Sequence, residues 1–398
     1  MKKTILTTAL PILSLAIASC SGAQTGDTTP ASTPAASTGI VAGERVELQD
    51  GPFSAESMGE MPNPWAMAFE PGTGRVFVTQ QDGALLMYDP ANGETWDVSG
   101  TPDVVYERQG GLGDIAFAPD YATSGTIYLS WAQDSGNATT VAAVGRGTLD
   151  CARQSACRIT GFDEIWRQSR GGENKGHYSH RLAFSPDGRY LFVASGDRQE
   201  QTPAQDLSNN LGTIVRLMPD GRAAPGNPFA ERGGATAQIW SYGHRNTLGL
   251  AFSPEGDLWN LEHGPAGGDE LNMVARGANY GWPVRSYGEN YNGDPIPDHS
   301  ADDGFTKPAI YWTPVIAPGD MIFYTGRMFA DWQGQILIAN LKTTSISRVT
   351  YDAGANSAEE VSRYPFPERL RDIAQAPDGA IWVIEDEENG RLLRLTPS

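Results

Sequence analysis

The chain has 398 residues, and its 48 acidic side chains outnumber 29 lysines and arginines to give a formal net charge of −19. This charge argues against a protein that binds nucleic-acid phosphates, because such proteins need a basic face. The 46 glycines and 27 prolines follow no fixed period, and the 10 tryptophans, 14 tyrosines and 13 phenylalanines exclude disorder over most of the length. We therefore expect short strands joined by turns.

The start of the chain has the features of an export signal. Two lysines precede an apolar stretch at 5–17 that is too short and too interrupted for a stable transmembrane helix. The stretch ends in Ile-Ala-Ser-Cys, which resembles a bacterial lipobox with Cys20 as the lipidated residue. An ordinary signal peptide containing a cysteine is the alternative. We predict a signal over 1–19 and a periplasm-facing lipoprotein, and Ser21 favours the outer membrane.

A tether and a cysteine pair are the next features along the chain. Residues 20–43 are small, polar and interrupted by prolines, which predicts a flexible tether before a folded domain over 44–398. Besides Cys20, the chain has two cysteines, Cys151 and Cys157. Export would place them in an oxidising compartment, and a metal site or a redox motif would need more ligands or a closer spacing. We predict a short local disulfide.

A repeated pattern runs through the domain: an apolar pair, a polar turn such as Pro-Asp-Gly, and an alternating strand. The copies cover 65–79, 113–132, 181–197, 248–264, 321–341 and 372–386. Equivalent positions are held by Phe69, Phe117, Phe184, Phe252, Phe323 and Gln375. Such turns join adjacent strands, and the alternation buries one face of each.

The length of the repeat indicates the architecture. Six units of about 59 residues each suit four-stranded sheets arranged around an axis. We therefore predict an all-β fold, a six-bladed β-propeller with four-stranded antiparallel blades. A β-sandwich with coincidental turns is the alternative. In a propeller, function is expected where loops converge at one end of the channel.

Four of the five histidines lie in loops beside these repeats: His177, His180, His244 and His263. A neutral imidazole with its usual pKa of about 6.5 is suited to removing a hydroxyl proton near neutral pH. A loop histidine more often has no catalytic role, so the type of residue alone does not decide between the two interpretations.

Several separated motifs carry a family resemblance. They are GHYSHRL (176–182), SYGHRNTLGLAF (241–252), LEHGPAGGDELN (261–272), GANYGWP (277–283), LKTTSISR (341–348) and ERLRDI (368–373). In this order they resemble the soluble pyrroloquinoline quinone (PQQ)-dependent sugar dehydrogenases, especially the bacterial aldose sugar dehydrogenases. The likeness runs from about Trp65 to Leu395, nearly the whole predicted domain.

The resemblance implies roles for the residues around the base. His177 matches the general base, and His180 stands where the family usually has glycine. The family often places an orienting aspartate just before the base, where this chain has Gly176. Arg245 would stabilise the oxygen of the quinone as it gains negative charge, and Asn246 would donate a hydrogen bond to the quinone.

The resemblance also implies how the cofactor is held. PQQ carries three carboxylates, which call for fixed cations with forked donors. Lys342, Arg369 and Arg371 match the residues that grip it, and alternate residues of a strand point to the same side. Further matches in the cofactor pocket are Gln109, His263, Asp269 and Trp312.

A calcium ion is implied as well. In the family, Ca²⁺ bridges PQQ to two backbone carbonyls, which here belong to Gly264 and Pro265. Glu270 and the Tyr280 carbonyl resemble a second, structural Ca²⁺ site, although acidic loop residues are usually only solvated. Oxygen ligands of this kind favour Ca²⁺ over Zn²⁺.

These matches predict an enzyme that oxidises aldose sugars at the anomeric carbon to lactones. His177 would take the hydroxyl proton while hydride passes to the quinone C5, and an external acceptor would then take the electrons. We expect no nucleic-acid partner, membrane contact only through the lipid anchor, and a monomer or homodimer. A Ca²⁺-dependent propeller lactonase, with a ring of carboxylates in the channel, and a non-catalytic propeller that binds carbohydrate or protein are the alternatives.

Overall fold

The structure is a computed structural model that describes residues 43–48, 51–153 and 156–398. The predicted signal, Cys20 and nearly all of the predicted tether lie outside the described residues. Within them the protein is all-β, with 27 strands and one four-residue helix, α1 (Tyr121–Ser124). No helix of this part is long and apolar enough to span a bilayer.

The strands of the first half are, in chain order, β1 (Glu44–Val46), β2 (Phe53–Pro62), β3 (Pro64–Phe69), β4 (Val76–Gln80), β5 (Leu85–Asp89), β6 (Glu94–Ser99), β7 (Leu112–Phe117), β8 (Thr126–Gly136), β9 (Thr139–Arg153), β10 (Ala156–Arg167), β11 (Ser179–Phe184), β12 (Leu191–Ser195), β13 (Thr213–Leu217) and β14 (Ile239–Tyr242). Those of the second half are β15 (Thr247–Phe252), β16 (Leu258–Glu262), β17 (Ala266–Gly267), β18 (Asp269–Met273), β19 (Gly288–Glu289), β20 (Ile310–Trp312), β21 (Pro318–Phe323), β22 (Ile336–Asn340), β23 (Ser345–Asp352), β24 (Ser357–Pro365), β25 (Leu370–Gln375), β26 (Ile381–Glu385) and β27 (Asn389–Pro397). Short 3₁₀ turns cover Thr202–Gln205, Ala230–Arg232, Gly234–Gln238 and Ala330–Trp332.

The repeated turns join antiparallel strands, as the third repeat illustrates. Its Ser-Pro-Asp-Gly segment connects β11 to β12, and Phe184 is opposite Leu191 in the ladder. Gly188 has φ 70°, a conformation that glycine adopts at low cost, and its N–H donates to the Ser185 carbonyl at 2.7 Å. Every residue of β12 is buried, because packed neighbours cover both faces of the sheet.

The sheets are less uniform than the predicted four-stranded blades. They contain five strands (β1-β2-β27-β26-β25), eight (β3-β4-β5-β6-β10-β9-β8-β7), four (β11-β12-β13-β14), four (β15-β16-β18-β20), two (β17-β19) and four (β21-β22-β23-β24). The eight-stranded sheet arises because β6 and β10 pair in parallel over two residues, with Val98 opposite Cys157 and Ser99 opposite Arg158.

The first strands of the six repeats form the centre of the molecule. β3, β7, β11, β15, β21 and β25 contact one another in sequence, and β25 contacts β3, so the circle is closed. The closure is reinforced by hydrogen bonding, since β2 pairs antiparallel with β27, from Phe53 opposite Pro397 to Pro62 opposite Asn389. Sheets arranged around an axis in this way form a β-propeller.

The repeated phenylalanines hold neighbouring sheets together. Each lies edge-on against an aromatic side chain of the preceding repeat, with ring centroids 5.1–6.4 Å apart: Phe69 on Trp382, Phe117 on Phe77, Phe184 on Tyr128, Phe252 on Phe192 and Phe323 on Trp259. In the last copy, Gln375 accepts hydrogen bonds from the backbone N–H groups of Thr325 and Gly326 at 2.8 and 2.9 Å. The repeat therefore encodes the contact between sheets as well as the turn.

A disulfide joins Cys151 in β9 to Cys157 in β10, with the two Cα atoms 4.3 Å apart. These strands are antiparallel neighbours. The bond therefore ties the end of one long hairpin and links no distant parts of the chain.

A buried ionic group lies on the axis of the ring. Arg181 of β11 forms ion pairs with Asp114 of β7 (3.5 Å), Asp320 of β21 (3.4 Å) and Asp372 of β25 (2.8 Å). We call these four residues the axial cluster. Burial raises the pKa of Asp114 to about 6 and also raises the pKa values of Asp320 and Asp372, although Arg181 opposes each shift.

The remaining inner strands also contact the guanidinium of Arg181. It donates to the carbonyl of Leu248 in β15 at 2.6 Å and lies 4.5 Å from the ring centroid of Trp65 in β3. All six inner strands thus meet at one cation. A guanidinium suits this position because it presents five donors in a planar fork and remains charged when buried.

Candidate active site

The segment that leads into β11 and forms its first residues carries the predicted base and has an unusual backbone. His177, Ser179 and His180 have φ values of 49°, 66° and 72°, in the left-handed region that side chains with a Cβ seldom adopt. Each such residue costs about 1–3 kcal/mol, and such residues cluster at functional sites. The His177 N–H donates to Gln109 Oε1 at 2.7 Å, which fixes the loop against its neighbour.

Asp197 is the partner of the base. Its Oδ1 lies 2.6 Å from His177 Nδ1, and its Oδ2 accepts a hydrogen bond from Trp282 Nε1 at 2.7 Å. Asp197 therefore supplies the orienting carboxylate that Gly176 does not. An ionised carboxylate can only accept a hydrogen bond, so Nδ1 of the neutral ring must carry the proton that it donates to Asp197. Nε2 is then the basic nitrogen.

The surroundings of His177 and Asp197 shift both pKa values so that His177 is free to accept a proton. Burial lowers the pKa of His177, although Asp197 opposes the shift. Burial would raise the pKa of Asp197, but His177, Arg245 and the hydrogen bond from Trp282 outweigh it and hold that pKa below its usual value. At neutral pH the site therefore has a neutral imidazole beside an ionised carboxylate.

A glycine allows Asp197 to reach the base. Gly196 follows β12, and a Cβ added to it would lie 1.9 Å from the His177 carbonyl oxygen. Only glycine permits this close approach of the two backbones. Sequence reasoning missed Asp197, although a Gly-Asp pair directly after the buried strand of the same repeat was an available signal.

Arg245 is held on several sides. The Asp197 N–H donates to the Arg245 carbonyl (2.9 Å), and the Arg245 N–H donates to Glu262 Oε2 (2.6 Å). The guanidinium donates through Nη1 to the His263 carbonyl and through Nη2 to the Tyr291 hydroxyl, both at 3.2 Å. Its buried Nε has no partner among the described residues. The Nε–H donor of the cation thus remains unused.

Two neighbours of Arg245 have different roles. His244 is turned into the protein, where Nδ1 contacts Glu262 Oε1 and Nε2 contacts Ser241 Oγ, each at 2.9 Å. It supports the loop. Asn246 faces the loop of the base, and its Oδ1 accepts a hydrogen bond from Ser179 Oγ at 3.4 Å.

Two adjoining cavities open at the end of the ring where His177 and Arg245 lie. The smaller, of about 440 Å³, is called the base cavity and is lined by His177, Asp197, Gln199, Gln201, Arg245, Pro265, Trp282, Asn290, Tyr291, Asn292 and Asp294. The larger, of about 760 Å³, is called the cationic cavity and is lined by Trp65, Gln81, Arg108, Gln109, Tyr178, Ser179, His180, Asn246, Leu248, His263, Ala317, Leu341, Lys342, Thr344, Arg369, Arg371 and Asp386. Consecutive residues line the two cavities, since His177 and Arg245 belong to one and Tyr178 and Asn246 to the other.

The cationic cavity is suited to an anion. Arg108, Lys342, Arg369 and Arg371 line it, against the single carboxylate of Asp386. Arg369 and Arg371 do face the same side, and their Nη2 atoms lie 2.7 and 2.6 Å from Asp386. Burial would raise the pKa of Asp386, but the two arginines outweigh it and lower that pKa. From the resemblance, Arg369 and Arg371 were expected to hold a carboxylate of the cofactor. Part of the negative charge beside them comes instead from the protein's own Asp386.

His263 lines the cationic cavity as a neutral ring. Its Nε2 lies 2.6 Å from the Pro318 carbonyl, so Nε2 carries the proton. Burial lowers the pKa of His263 to about 3. It can therefore accept a hydrogen bond at Nδ1 but does not add charge.

Two predicted cofactor residues line neither cavity. Asp269 accepts hydrogen bonds from the backbone N–H groups of Gly264 (2.9 Å) and Ala317 (2.7 Å), and burial raises its pKa to about 6. Trp312, directly opposite Asp269 in the β18–β20 ladder, belongs to the hydrophobic core and donates through Nε1 to Glu360 at 2.8 Å. Asp269 thus positions a loop, and Trp312 lies in the core behind it.

The residues of the predicted second metal site surround a small space. Glu270 and Tyr280 line a cavity of about 10 Å³ together with Glu262 and Gly264. Burial, and then the charge of Glu262, raise the pKa of Glu270 well above its usual value. No group of three His, Cys, Asp or Glu side chains within the described ranges is arranged to hold a metal. A metal here would depend on backbone carbonyls.

The sequence and the fold match one family. The model of the glucose / sorbosone dehydrogenase family matches residues 61–394. An aldose sugar dehydrogenase of Escherichia coli (strain K12) is 36% identical over 343 residues, which cover 85% of this chain and 91% of that protein.

Solved structures agree with this match. The crystal structure of the soluble aldose sugar dehydrogenase from Escherichia coli in the apo form is similar with a TM-score of 0.81 and 35% identity, covering 87% of this chain and 100% of that one. The PQQ-bound aldose sugar dehydrogenase from Streptomyces coelicolor has a TM-score of 0.70 and 26% identity, covering 88% and 100%. The family resemblance is confirmed: the chain belongs to the glucose / sorbosone dehydrogenase family.

Proposed function

We propose that this protein is a PQQ-dependent dehydrogenase that oxidises aldose sugars at the anomeric carbon to lactones. The observation that carries the proposal is the neutral His177 held by Asp197 beside Arg245, in a cavity that adjoins a cationic one. A base and a cation at the border of two cavities suit proton removal from one ligand and charge stabilisation on another.

The cationic cavity fits PQQ in charge and size. Its four basic side chains and one carboxylate leave three positive charges, which balance three carboxylates. Its volume of about 760 Å³ lies in the usual range for cofactor sites. Lys342, Arg369 and Arg371 would hold the carboxylates, and Gln109, Asn246 and His263 offer further polar contacts. Bound there, PQQ would supply the acceptor for a hydride, which carries both electrons of the oxidation.

The chain's own groups account for the movement of the proton. Nε2 of His177 takes the proton of the anomeric hydroxyl, and the ionised Asp197 stabilises the imidazolium that forms. Arg245 is fixed by Glu262 and the His263 carbonyl, so it can stabilise negative charge without reorganising.

The base cavity fits a sugar. Most of its remaining lining consists of the polar groups Gln199, Gln201, Asn290, Asn292 and Asp294, with the aromatic rings of Trp282 and Tyr291. Amides and carboxylates exchange hydrogen bonds with several hydroxyls at once, and aromatic faces pack against the C–H groups of a sugar ring. An aldose in this cavity would lie against Nε2 of His177.

Calcium is part of the proposal. The carbonyls of Gly264 and Pro265 are hard oxygen donors of the type that Ca²⁺ prefers, and a carboxylate of the cofactor would complete the set. Asp269 supports this arrangement, because it fixes the Gly264 N–H at 2.9 Å. A second Ca²⁺ between Glu270 and the Tyr280 carbonyl would offset the negative charge of the buried carboxylates of Glu262 and Glu270. In both places the ion would neutralise anions.

Six inner strands mark six blades, with the eight-stranded sheet counted as two blades joined by the short β6–β10 contact.

Cys20 anchors an exported lipoprotein that faces the periplasm, and the Cys151–Cys157 disulfide is consistent with an oxidising compartment. The electrons pass from the reduced cofactor to an external acceptor.

The axial cluster argues against the lactonase alternative. That enzyme would need a ring of carboxylates around a metal in the channel. Asp114, Asp320 and Asp372 do form such a ring, but the guanidinium of Arg181 occupies its centre. A non-catalytic binding propeller would have no need for a His177–Asp197 pair.

Reconstitution tests the proposed function. Purified protein with Ca²⁺ and PQQ is expected to reduce an artificial dye when glucose or another aldose is added, and its absorption spectrum should report quinone reduction by the sugar. The control is the same protein with PQQ and a sugar alcohol, which has no anomeric carbon. Absence of PQQ uptake, or uptake without oxidation of any aldose, would reject the proposal.

The Asp197→Asn variant tests the orienting role. Loss of the carboxylate that fixes the tautomer of a general-base histidine is expected to lower kcat about 10²- to 10⁴-fold. Asp197 also raises the pKa of His177, so its loss should shift the acid limb of kcat/KM to lower pH. The control is Asp206→Asn, an exposed aspartate of the same loop, expected to stay within twofold. An unshifted acid limb in the Asp197 variant would contradict the assignment.

A further inference from the structure

His180 is a buried polar side chain that the proposed mechanism does not use. It is 3% exposed and lines the cationic cavity. Neither Nδ1 nor Nε2 has a hydrogen-bond partner among the described residues. A buried donor or acceptor left unpaired costs about 1–3 kcal/mol, so two on one ring call for an explanation.

The ring is fixed in place by its neighbours. It stacks on Tyr178, with centroids 5.3 Å apart and planes 17° from parallel, and meets Trp65 edge-on at 5.5 Å. A Cβ on Gly113 would lie 2.5 Å from His180 Cγ, so the inner strand on that side is packed closely against the imidazole. A ring held this firmly cannot turn to find a protein partner without disturbing all three contacts.

The ring is also neutral. Burial, together with the charges of Arg198 and Arg181, lowers the pKa of His180 to about 3. A neutral imidazole has one N–H donor and one acceptor. His180 therefore differs from the lysine and arginines of the cationic cavity, because it can offer a directed hydrogen bond without adding charge.

We propose that His180 is a ligand-binding residue of the cationic cavity, and that one of its ring nitrogens donates a hydrogen bond to an oxygen of the quinone cofactor. The inference rests on the proposed function and adds to it a contact peculiar to this side chain. Binding of the cofactor would then give one of the two buried nitrogens a hydrogen-bond partner. The strained φ of 72° fits this role, since strain is often kept where a side chain must meet a ligand.

Three variants separate hydrogen bonding from packing. His180→Phe keeps a flat ring against Tyr178 and Trp65 but has no nitrogen. His180→Asn and His180→Gln place an amide N–H near the positions of Nδ1 and Nε2, respectively. PQQ affinity is measured on the full protein in the presence of Ca²⁺ by quenching of tryptophan fluorescence, and the absorption band of bound PQQ is recorded for each.

The expected result is a 10- to 100-fold weaker affinity for PQQ in His180→Phe, the range for loss of one hydrogen bond to a charged ligand. Either the Asn or the Gln variant should restore the affinity to within about threefold and so identify the donating nitrogen. The thermal midpoint of PQQ-free His180→Phe should equal or exceed that of the wild type, because two unpaired buried nitrogens are removed. A purely structural histidine would give the opposite change in stability.

Three outcomes would overturn the inference: unchanged PQQ affinity and spectrum in His180→Phe, equal weakening in all three variants, or a lower thermal midpoint of PQQ-free His180→Phe. Failure of the proposed function is distinguishable because it appears in the wild type, which would then take up no PQQ or would take it up without oxidising any aldose.

Discussion

Replacing His177 by alanine is expected to lower kcat by about 10² to 10⁴, the usual contribution of a positioned general base. Nε2 of His177 is the proposed proton acceptor, and no other imidazole lines the base cavity within the described residues. PQQ affinity should stay near that of the wild type, because the cations that would hold the cofactor line the other cavity.

A second variant provides the reciprocal test. Lys342→Met removes one cation of the cationic cavity and should weaken PQQ binding, while kcat at saturating PQQ falls much less than in His177→Ala. Steady-state dye reduction gives kcat, and tryptophan fluorescence gives the dissociation constant of PQQ. Full turnover in His177→Ala would reject the base assignment, and a joint loss of turnover and PQQ binding would show that the loop, rather than the base, had been altered.

Replacing Arg181 by methionine is expected to cost about 3–5 kcal/mol of the free energy of unfolding, the range for removing one member of a buried ion pair. Methionine fills much of the space but leaves Asp114, Asp320 and Asp372 without a cation on the axis. Urea denaturation at pH 7 measures the loss. The control is Arg189→Met, whose arginine pairs with the exposed Asp187 and should change stability by less than about 0.5 kcal/mol.

The loss should depend on pH in a defined direction. Arg181 lowers the pKa of each of its three carboxyl partners, so without it their pKa values in the folded state rise further. A carboxyl whose pKa is raised by folding favours the folded state at low pH, and this contribution is lost as the pH rises through the folded-state value. The deficit of Arg181→Met should therefore shrink between pH 8 and pH 5. A deficit independent of pH would show that the carboxylates do not cause it.

Local signals in the sequence explain how much of the fold could be predicted. The Pro-Asp-Gly turns and the alternating strands were sufficient for an all-β repeat, because a turn and its two strands lie within one short segment. The equivalent phenylalanines were recognised as markers, but their packing on the preceding repeat was not predicted. The parallel contact of β6 with β10 was also missed, because it depends on where a long hairpin comes to lie.

Residues that line the two cavities were named from the sequence where they stand in recognisable motifs, and were not named where they meet across the fold. His177, Arg245 and Lys342 belong to such motifs, and all three line the two cavities. Asp197 and Asp386 do not, since each pairs with residues brought close only by strand geometry. Trp312 was assigned to the cofactor from its match, yet strand pairing places it in the core behind Asp269.

The pairing of β2 with β27 has a consequence for synthesis of the chain. The last repeat supplies β25 and β26, but their sheet needs β27 between β26 and β2. Until the ribosome has made residues 389–397, both β26 and β2 present unpaired edges, which are templates for pairing with other chains. Ring closure thus waits for the synthesis of residues 389–397, and a chain cut short before residue 389 would be prone to aggregate even with its site residues intact.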